Sequence, residues 1–426
     1  MKSIVLSACV LGLVSASAFA GINKHGVQLE LGLSATQLHE MYLAKKRARE
    51  QNTLGVIALH PNSDEELLAP ALAAGKRLLQ WVVAINAQRP LDQRLSLSSP
   101  ETQHAYPIEA PNVYNPDILL KAFSNYKAQA PASIRDVILG DGALPATSPV
   151  SDADFIAWGL KLNDVYETSA RWLNYQDSMA ELEKRKQLDV RAYLNLKKEE
   201  GLDAKLTGWK SLSDSDRARL GNWLVQVCVN SEGDSSGCSR TLGVFVSVNN
   251  VKGFYDRYLP GAKTNYDSFF KLEGKRPDVT WTSSQPLLMS VPFVDPGRDD
   301  LRSYLKDNIE DEWRWNDWFL KLPFVANRPN TAHLEFEAGA TPHVNDVAGN
   351  TITMDANAPL SEYNVRWAIR HEYGHVLGFP DCYLEFYDRE TDTIQSYQLD
   401  ITNLMCSRRG HINQLHFDEL KEAYFR

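Results

Sequence analysis

The sequence predicts a mixed α/β (α+β) domain at the C-terminus, preceded by a mainly α-helical region. Three observations point to it. Apolar residues recur at helical spacing through roughly 240 residues after the N-terminus. The pattern changes near Gly274-Lys275-Arg276-Pro277, beyond which strand-like and helix-like segments alternate. One of the later helices carries His371-Glu372-Tyr373-Gly374-His375. The chain has 426 residues, long enough for two or three domains of ordinary size.

Residues 1–20 have the pattern of an export signal. Lys2 supplies a positive start, Ile4 to Val14 an apolar centre, and Ala18-Phe19-Ala20 before Gly21 a cleavage site. The mature protein is therefore expected to be secreted or periplasmic. An N-terminal membrane anchor is the alternative, but the apolar stretch is short for one. Leu6-Ser7-Ala8-Cys9 is only superficially like a lipoprotein box, because too little apolar sequence precedes it. No later stretch looks long enough to span a bilayer, so no integral membrane segment is expected after signal removal.

Removing the signal removes Cys9 and leaves Cys228, Cys238, Cys382 and Cys406. An even number in an exported chain points to disulfides. Of the three possible pairings, Cys228–Cys238 with Cys382–Cys406 is expected, since each pair falls within one region of the sequence. Buried free thiols are the alternative. The formal charge of -9 argues against nucleic acid or an anionic membrane as the main partner.

Residues 21–273 form the helical region. Ser34-Ala35-Thr36-Gln37 has the form of a capping box. Leu67, Leu68, Leu72, Leu78, Leu79 and Val82 mark a buried helical face. Pro145 to Pro149 breaks the pattern, giving a possible sub-boundary near 145–151. A long helix is expected from Asp152 to Lys198, with Phe155, Trp158, Leu162, Tyr166, Trp172 and Leu173 as core residues. The region has three possible roles: a removable pro-segment, a substrate-binding domain, or a partner-binding domain.

Residues 274–426 form the mixed domain. Val279 to Val294 reads as extended, broken by Pro286 and Pro292. Asp299 to Lys321 reads as a helix with Leu301, Leu305, Ile309, Trp313 and Trp318 inward. His333 to Glu337 and Asn350 to Asp355 read as short strands. Ser361 is expected to cap a helix running through Val365, Ile369 and the His-Glu-His motif. A short helix from Asn413 closes the chain.

On a helix, residues four apart lie about 40° apart in azimuth and about 6 Å along the axis. His371 and His375 can therefore present both imidazoles to one ion. Glu372 sits beside that ion, where a carboxylate serves as a base toward water. Asp381 follows His375 by six residues. On a continued helix it would point away, about 240° around. It reaches the ion only if the helix stops between them. Gly378 favours the left-handed conformation that ends helices, and Pro380 prevents resumption.

Read together, these residues resemble the metzincin clan of zinc peptidases. The clan's motif is HExxHxxGxx followed by His or, in snapalysin-like members, Asp. Asn403-Leu404-Met405-Cys406 is similar to the clan's methionine turn, with Met405 the matching residue. The resemblance covers only about the last 150 residues. It implies a zincin-type catalytic domain with one Zn2+ held by His371, His375 and Asp381, and supported by Gly378 and Met405. It implies a secreted metalloendopeptidase with Glu372 as general base. Its protein or peptide substrate would lie extended against the strand at Asn350 to Asp355.

The sequence departs from the clan in two places. Ser407 stands where some members carry a tyrosine near the metal, so that role does not carry over. A Cys382–Cys406 bridge is not a general clan feature, but it would brace a ligand that lies outside the helix. Asp in place of the third His makes the site's formal charge +1, a slightly weaker Lewis acid. His333, His343, His411 and His416 read as surface or outer residues, with a substrate-side role for His411 as the alternative.

Two rival readings remain. In a thermolysin-like arrangement Glu385 or Glu390 would be the third ligand; Gly378 and Met405 argue against it. Alternatively, the chain is an exported binding or structural protein with a non-catalytic zinc site. Glu372 discriminates, because a structural site does not need it.

Overall fold

The computed structural model describes residues 63–90, 93–97, 105–337, 340, 342–356 and 358–426. The signal at 1–20 and the capping box at 34–37 lie outside the described residues. Helices α1 (Ser63–Asn86), α2 (Pro116–Gln129), α3 (Ala132–Leu139) and α4 (Asp152–Tyr175) come first, with a short strand β1 (Asn112–Tyr114) before α2. Then follow α5 (Met179–Arg185), α6 (Arg191–Lys198), α7 (Leu202–Thr207), α8 (Asp214–Glu232), α9 (Ser235–Ser247) and α10 (Val251–Ser268). Local chemistry sets several of the boundaries. Asn115 caps α2 ahead of Pro116, Ser151 and Ser213 cap α4 and α8, and Gly233 ends α8 at a φ of +77°.

Among the described residues, two cores lie within the helical region, and a third, with Leu68, Tyr114, Trp172 and Tyr175, is shared with Ile394 of the C-terminal domain. Ala71, Leu78 and Trp81 of α1 pack with Phe123 of α2 and Phe155 and Leu162 of α4. Leu196, Leu220, Leu224, Cys228, Phe254 and Tyr258 form the second. The inward face of α1 is Leu68, Ala71, Ala74, Leu78, Trp81 and Ile85, while Leu67 is exposed. Contrary to the sequence reading, α1 is long and apolar enough to cross a membrane by length and composition. Its inward stripe is instead packed against α2 and α4.

The helix expected from Asp152 to Lys198 is interrupted twice by 3₁₀ turns, at Gln176–Ser178 and Lys186–Leu188. These bends let α5 and the residues after it turn toward the C-terminal domain. Nor is the region wholly helical, since β1 pairs with a strand of that domain.

The C-terminal domain contains β2 (Leu288–Ser290), β3 (Phe293–Val294), α11 (Asp299–Leu305), β4 (Arg314–Trp315), β5 (Trp318–Lys321) and β6 (Phe324–Val325). It continues with β7 (His333–Glu337), β8 (His343–Val344), β9 (Thr351–Asp355), α12 (Tyr363–Leu377), β10 (Tyr383–Asp388), β11 (Thr393–Gln398) and α13 (Gln414–Tyr424). β2 and β3 pair in parallel with β5 and β6, and a Phe293–Ala332 bridge joins β3 to the start of β7. β7 runs parallel to β9, and β8 lies antiparallel on the far side of β9. Helix α12 packs against β8 and β9.

The helix expected over Asp299 to Lys321 stops near Glu310 after a π-helical turn. Asn316, at a φ of +51°, then turns β4 into β5. Trp318 and Leu320 are buried and alternate with exposed Phe319 and Lys321, the period of a half-buried strand. The cap of α12 is Glu362 rather than Ser361, and no side-chain hydrogen bond is made there. Asn413 caps α13 by accepting from Leu415 and His416 N–H. The hairpin β10–β11 between the third candidate ligand and the methionine turn has no counterpart in the sequence reading.

Candidate metal centre

Helix α12 places His371, Glu372 and His375 on its buried side. The His371 and His375 Nε2 atoms are 3.1 Å apart. Asp381 Oδ1 is 3.1 Å from the first and 3.3 Å from the second. Each imidazole is oriented from behind. His371 Nδ1 lies 3.1 Å from Leu404 O, and His375 Nδ1 lies 2.8 Å from Phe379 O. A ring nitrogen facing a carbonyl carries the proton, so both Nε2 lone pairs point at the Asp381 carboxylate. Three acceptors converging in a buried pocket repel one another unless a proton or a metal cation lies among them.

The donor set fits zinc. A tetrahedral ion with bonds of about 2.0–2.1 Å has ligand-to-ligand edges of about 3.3 Å. The three observed separations are 3.1, 3.1 and 3.3 Å. Two imidazoles and one carboxylate suit this ion and leave one position for water. Glu372 forms a tight group with the two histidines and is fully buried. The field of the pocket favours positive charge. Burial alone would lower the His375 pKa, but Asp381 and then Glu372 outweigh it and raise it to about 9.

The third residue reaches the centre because the helix ends where it must. Gly378 has a φ of +103°, its N–H donates to His375 O, and Phe379 N–H donates to Gly374 O. These two bonds satisfy last-turn carbonyls and reverse the chain. Gly378 also packs against backbone, since a Cβ there would collide with Gly274 O. Phe379 then stacks on Trp313 at 5.8 Å.

The methionine lies beneath the histidines. A Cβ on Gly374 would collide with Met405 Sδ, so Met405 sits directly under the helix between them. The sequence reading singled out Gly378 and missed Gly374. A glycine inside a helical pattern was the available signal, because it costs helix stability unless close packing requires it. Asn403 holds the turn: its side chain accepts from Met405 N–H at 2.8 Å, and its carbonyl accepts from Cys406 N–H at 3.0 Å. Trp367 stacks on His371 at 4.7 Å and donates to Ser407 O.

Both expected disulfides are present. Cys382–Cys406 joins the residue after Asp381 to the residue after Met405, and Cys228–Cys238 joins α8 to α9. Tyr383, also missed, is buried against Asp381. Burial first, then the Asp381 charge, pushes its pKa well above the ordinary value.

The remaining candidates lie elsewhere. Glu385 is held by Tyr114 and Tyr175, and Glu390 is an exposed turn residue near Lys186, so neither is a third ligand. His411 sits 3.0 Å from buried Glu312, which also holds Arg370. His416 is part of the α13 cap, and burial pushes its pKa down to about 3. His333 faces Glu335 on β7, and His343 lies on β8. The strand expected to pair with substrate, β9, is flanked on both sides by β7 and β8. Its backbone is used within the sheet, and β8 takes the edge. Compared with protein-family models, curated proteins and solved structures, the chain matches none of them.

Proposed function

We propose that the chain is an exported zinc metalloendopeptidase, metzincin-like in its C-terminal domain. The observation that carries this reading is the convergence of His371 Nε2, His375 Nε2 and Asp381 Oδ1 within 3.3 Å, with Glu372 alongside. Zinc, when bound there, polarises a water and the scissile carbonyl. His371, His375 and Asp381 hold the ion. Glu372 takes the proton of the attacking water and passes it to the leaving nitrogen. Tyr383 is buried beside the Asp381 carboxylate. An extended peptide would lie along β8. The segment after this strand approaches the second histidine, with Ala348 N–H donating to His375 O at 2.7 Å.

The test is zinc stoichiometry of the full chain together with hydrolysis of an unstructured protein. One zinc per chain, and activity abolished by a chelator and restored by zinc, is the expected result. Stoichiometric zinc in His375→Ala, or none in the wild type, would overturn the ligand assignment.

A further inference from the structure

The hairpin β10–β11 begins two residues after Asp381, and the helical region grips it at several points. β1 adds to it as a third strand, pairing Asn112 with Ser396 and Tyr114 with Ile394. Tyr106 and Gln398 exchange hydrogen bonds: Gln398 N–H donates to Tyr106 O at 2.7 Å, and Tyr106 N–H to the Gln398 side chain at 2.9 Å. Tyr397 donates its hydroxyl to Asp189 at 2.9 Å, and Lys186 pairs with Asp388 at 2.8 Å.

The centre of this joint is a buried charge. Glu385, in the middle of β10, has no solvent exposure. Tyr114 donates to one carboxylate oxygen and Tyr175 to the other, each at 2.7 Å. The Arg171 guanidinium is 3.6 Å away and also buried. Burying such a group is costly, and an apolar side chain would fill the space at less expense. What the carboxylate adds is direction, because two short bonds from different elements fix β10 relative to α4 and β1. Strand alternation puts Tyr383 on the same face of β10 as Glu385, and Tyr383 lies against Asp381. The grip on Glu385 is thus one short stretch of strand from the candidate metal ligand.

A segment shed on maturation would strip Glu385 of both phenols and of Arg171, and β11 of its outer partner. We propose that the helical region is a permanent part of the metal centre. In this arrangement Glu385, clamped by Tyr114 and Tyr175, is a positioning residue for Asp381. The proposal rests on the reading of His371, His375 and Asp381 as zinc ligands.

The experiment measures zinc release from the full chain to excess chelator, and the visible spectrum of the cobalt-substituted protein. The variants are Tyr114→Phe/Tyr175→Phe, Tyr114→Phe alone, and Arg389→Ala, which breaks an exposed ion pair to Glu183 in the same interface. Loss of outer groups around metal ligands costs on the order of tenfold or more. The double variant should release zinc about tenfold faster and shift the cobalt bands well below its melting temperature. The single variant should lie between, and Arg389→Ala should match wild type. Should the double variant not fold, the single variant carries the same test.

A purely structural role would lower the melting temperature but leave the release rate and the spectrum unchanged, and that result overturns the proposal. So would a mature, zinc-loaded species that begins after residue 268. Zinc-loaded wild type with unaffected variants overturns the proposal and leaves the zinc reading standing. Wild type that takes up no zinc defeats the zinc reading itself, and the proposal with it.

Discussion

The helical unit around Cys228–Cys238 and the domain around Cys382–Cys406 each carry a disulfide, yet they are assembled differently. In the first, the packed elements are neighbours in sequence: α8 lies on α9 and α10, and the bridge spans ten residues. In the second, one small volume gathers Gly274, Trp313, Gly374, Phe379 and Met405 from far-separated segments. Its bridge spans 24 residues, with the hairpin β10–β11 looped out between its ends. A unit of local contacts tolerates change by local adjustment. A centre closed by distant segments transmits a change at one of them to all the others.

The largest expected effect separates chemistry from assembly. Glu372→Gln should lower peptide hydrolysis by about 10²–10⁴-fold with zinc retained and both regions folded. Steady-state rates and metal content measure it. Near-normal turnover in a zinc-loaded variant would remove Glu372 as the base.

Next come two glycines that end helices. Gly378 and Gly233 both have positive φ, +103° and +77°. A Cβ at Gly378 meets the Gly274 backbone, whereas at Gly233 it meets only the tip of the Gln187 side chain at 3.2 Å. Gly233→Val should therefore cost about 1–2 kcal/mol, the left-handed strain alone. Gly378→Val adds a backbone collision and should cost about 3 kcal/mol or more, together with zinc. Equal costs in denaturant melts, with zinc unaffected in both, would erase the distinction.

The disulfides sharpen the same point. Chain entropy alone assigns about 2.7 kcal/mol to the ten-residue loop and about 3.5 kcal/mol to the 24-residue loop. That difference of about 0.8 kcal/mol is small. Zinc retention should differ far more. The Cys382→Ser/Cys406→Ser protein should lose zinc at lower temperature than wild type, and the Cys228→Ser/Cys238→Ser protein should keep it to its melting point. Metal release followed during heating decides between them.

The smallest effect concerns pH. In the metal-free protein the folded pKa of His375 stands at about 9, above its ordinary value near 6.5. The stability that this proton confers is complete below about pH 6.5 and is lost as pH rises through about 9. Zinc must displace that proton. Apparent zinc affinity should therefore climb from about pH 6.5 to about pH 9, with about one proton released per ion. Titration calorimetry in buffers of different ionisation heat measures this. Release near zero at about pH 7, or still near one proton well above about pH 9, would place the proton elsewhere.

Much of the candidate centre was legible from local sequence. The spacing of His371 and His375, the stop at Gly378 and Pro380, and the placement of Asp381 follow from helix geometry and its termination, while Met405 came from the resemblance to the methionine turn. So did the disulfide pairing, the strand at His333 to Glu337 and the cap at Asn413. Apart from the disulfides, whose pairing rested on the count of cysteines and their grouping by region, these features depend on residues a few positions apart, and that is the range over which periodicity and capping carry information.

Only tertiary structure decided the rest. β10 is buried along almost its whole length and β11 likewise, so neither shows the alternation by which a half-exposed strand is recognised. The pairing of β1 with β11 and the phenols on Glu385 join residues hundreds of positions apart. Glu385 on its own reads as one more surface carboxylate or a rival ligand. It becomes a buried anchor only when α4 and β1 close over it, because burial and partners belong to the assembled chain and not to the segment.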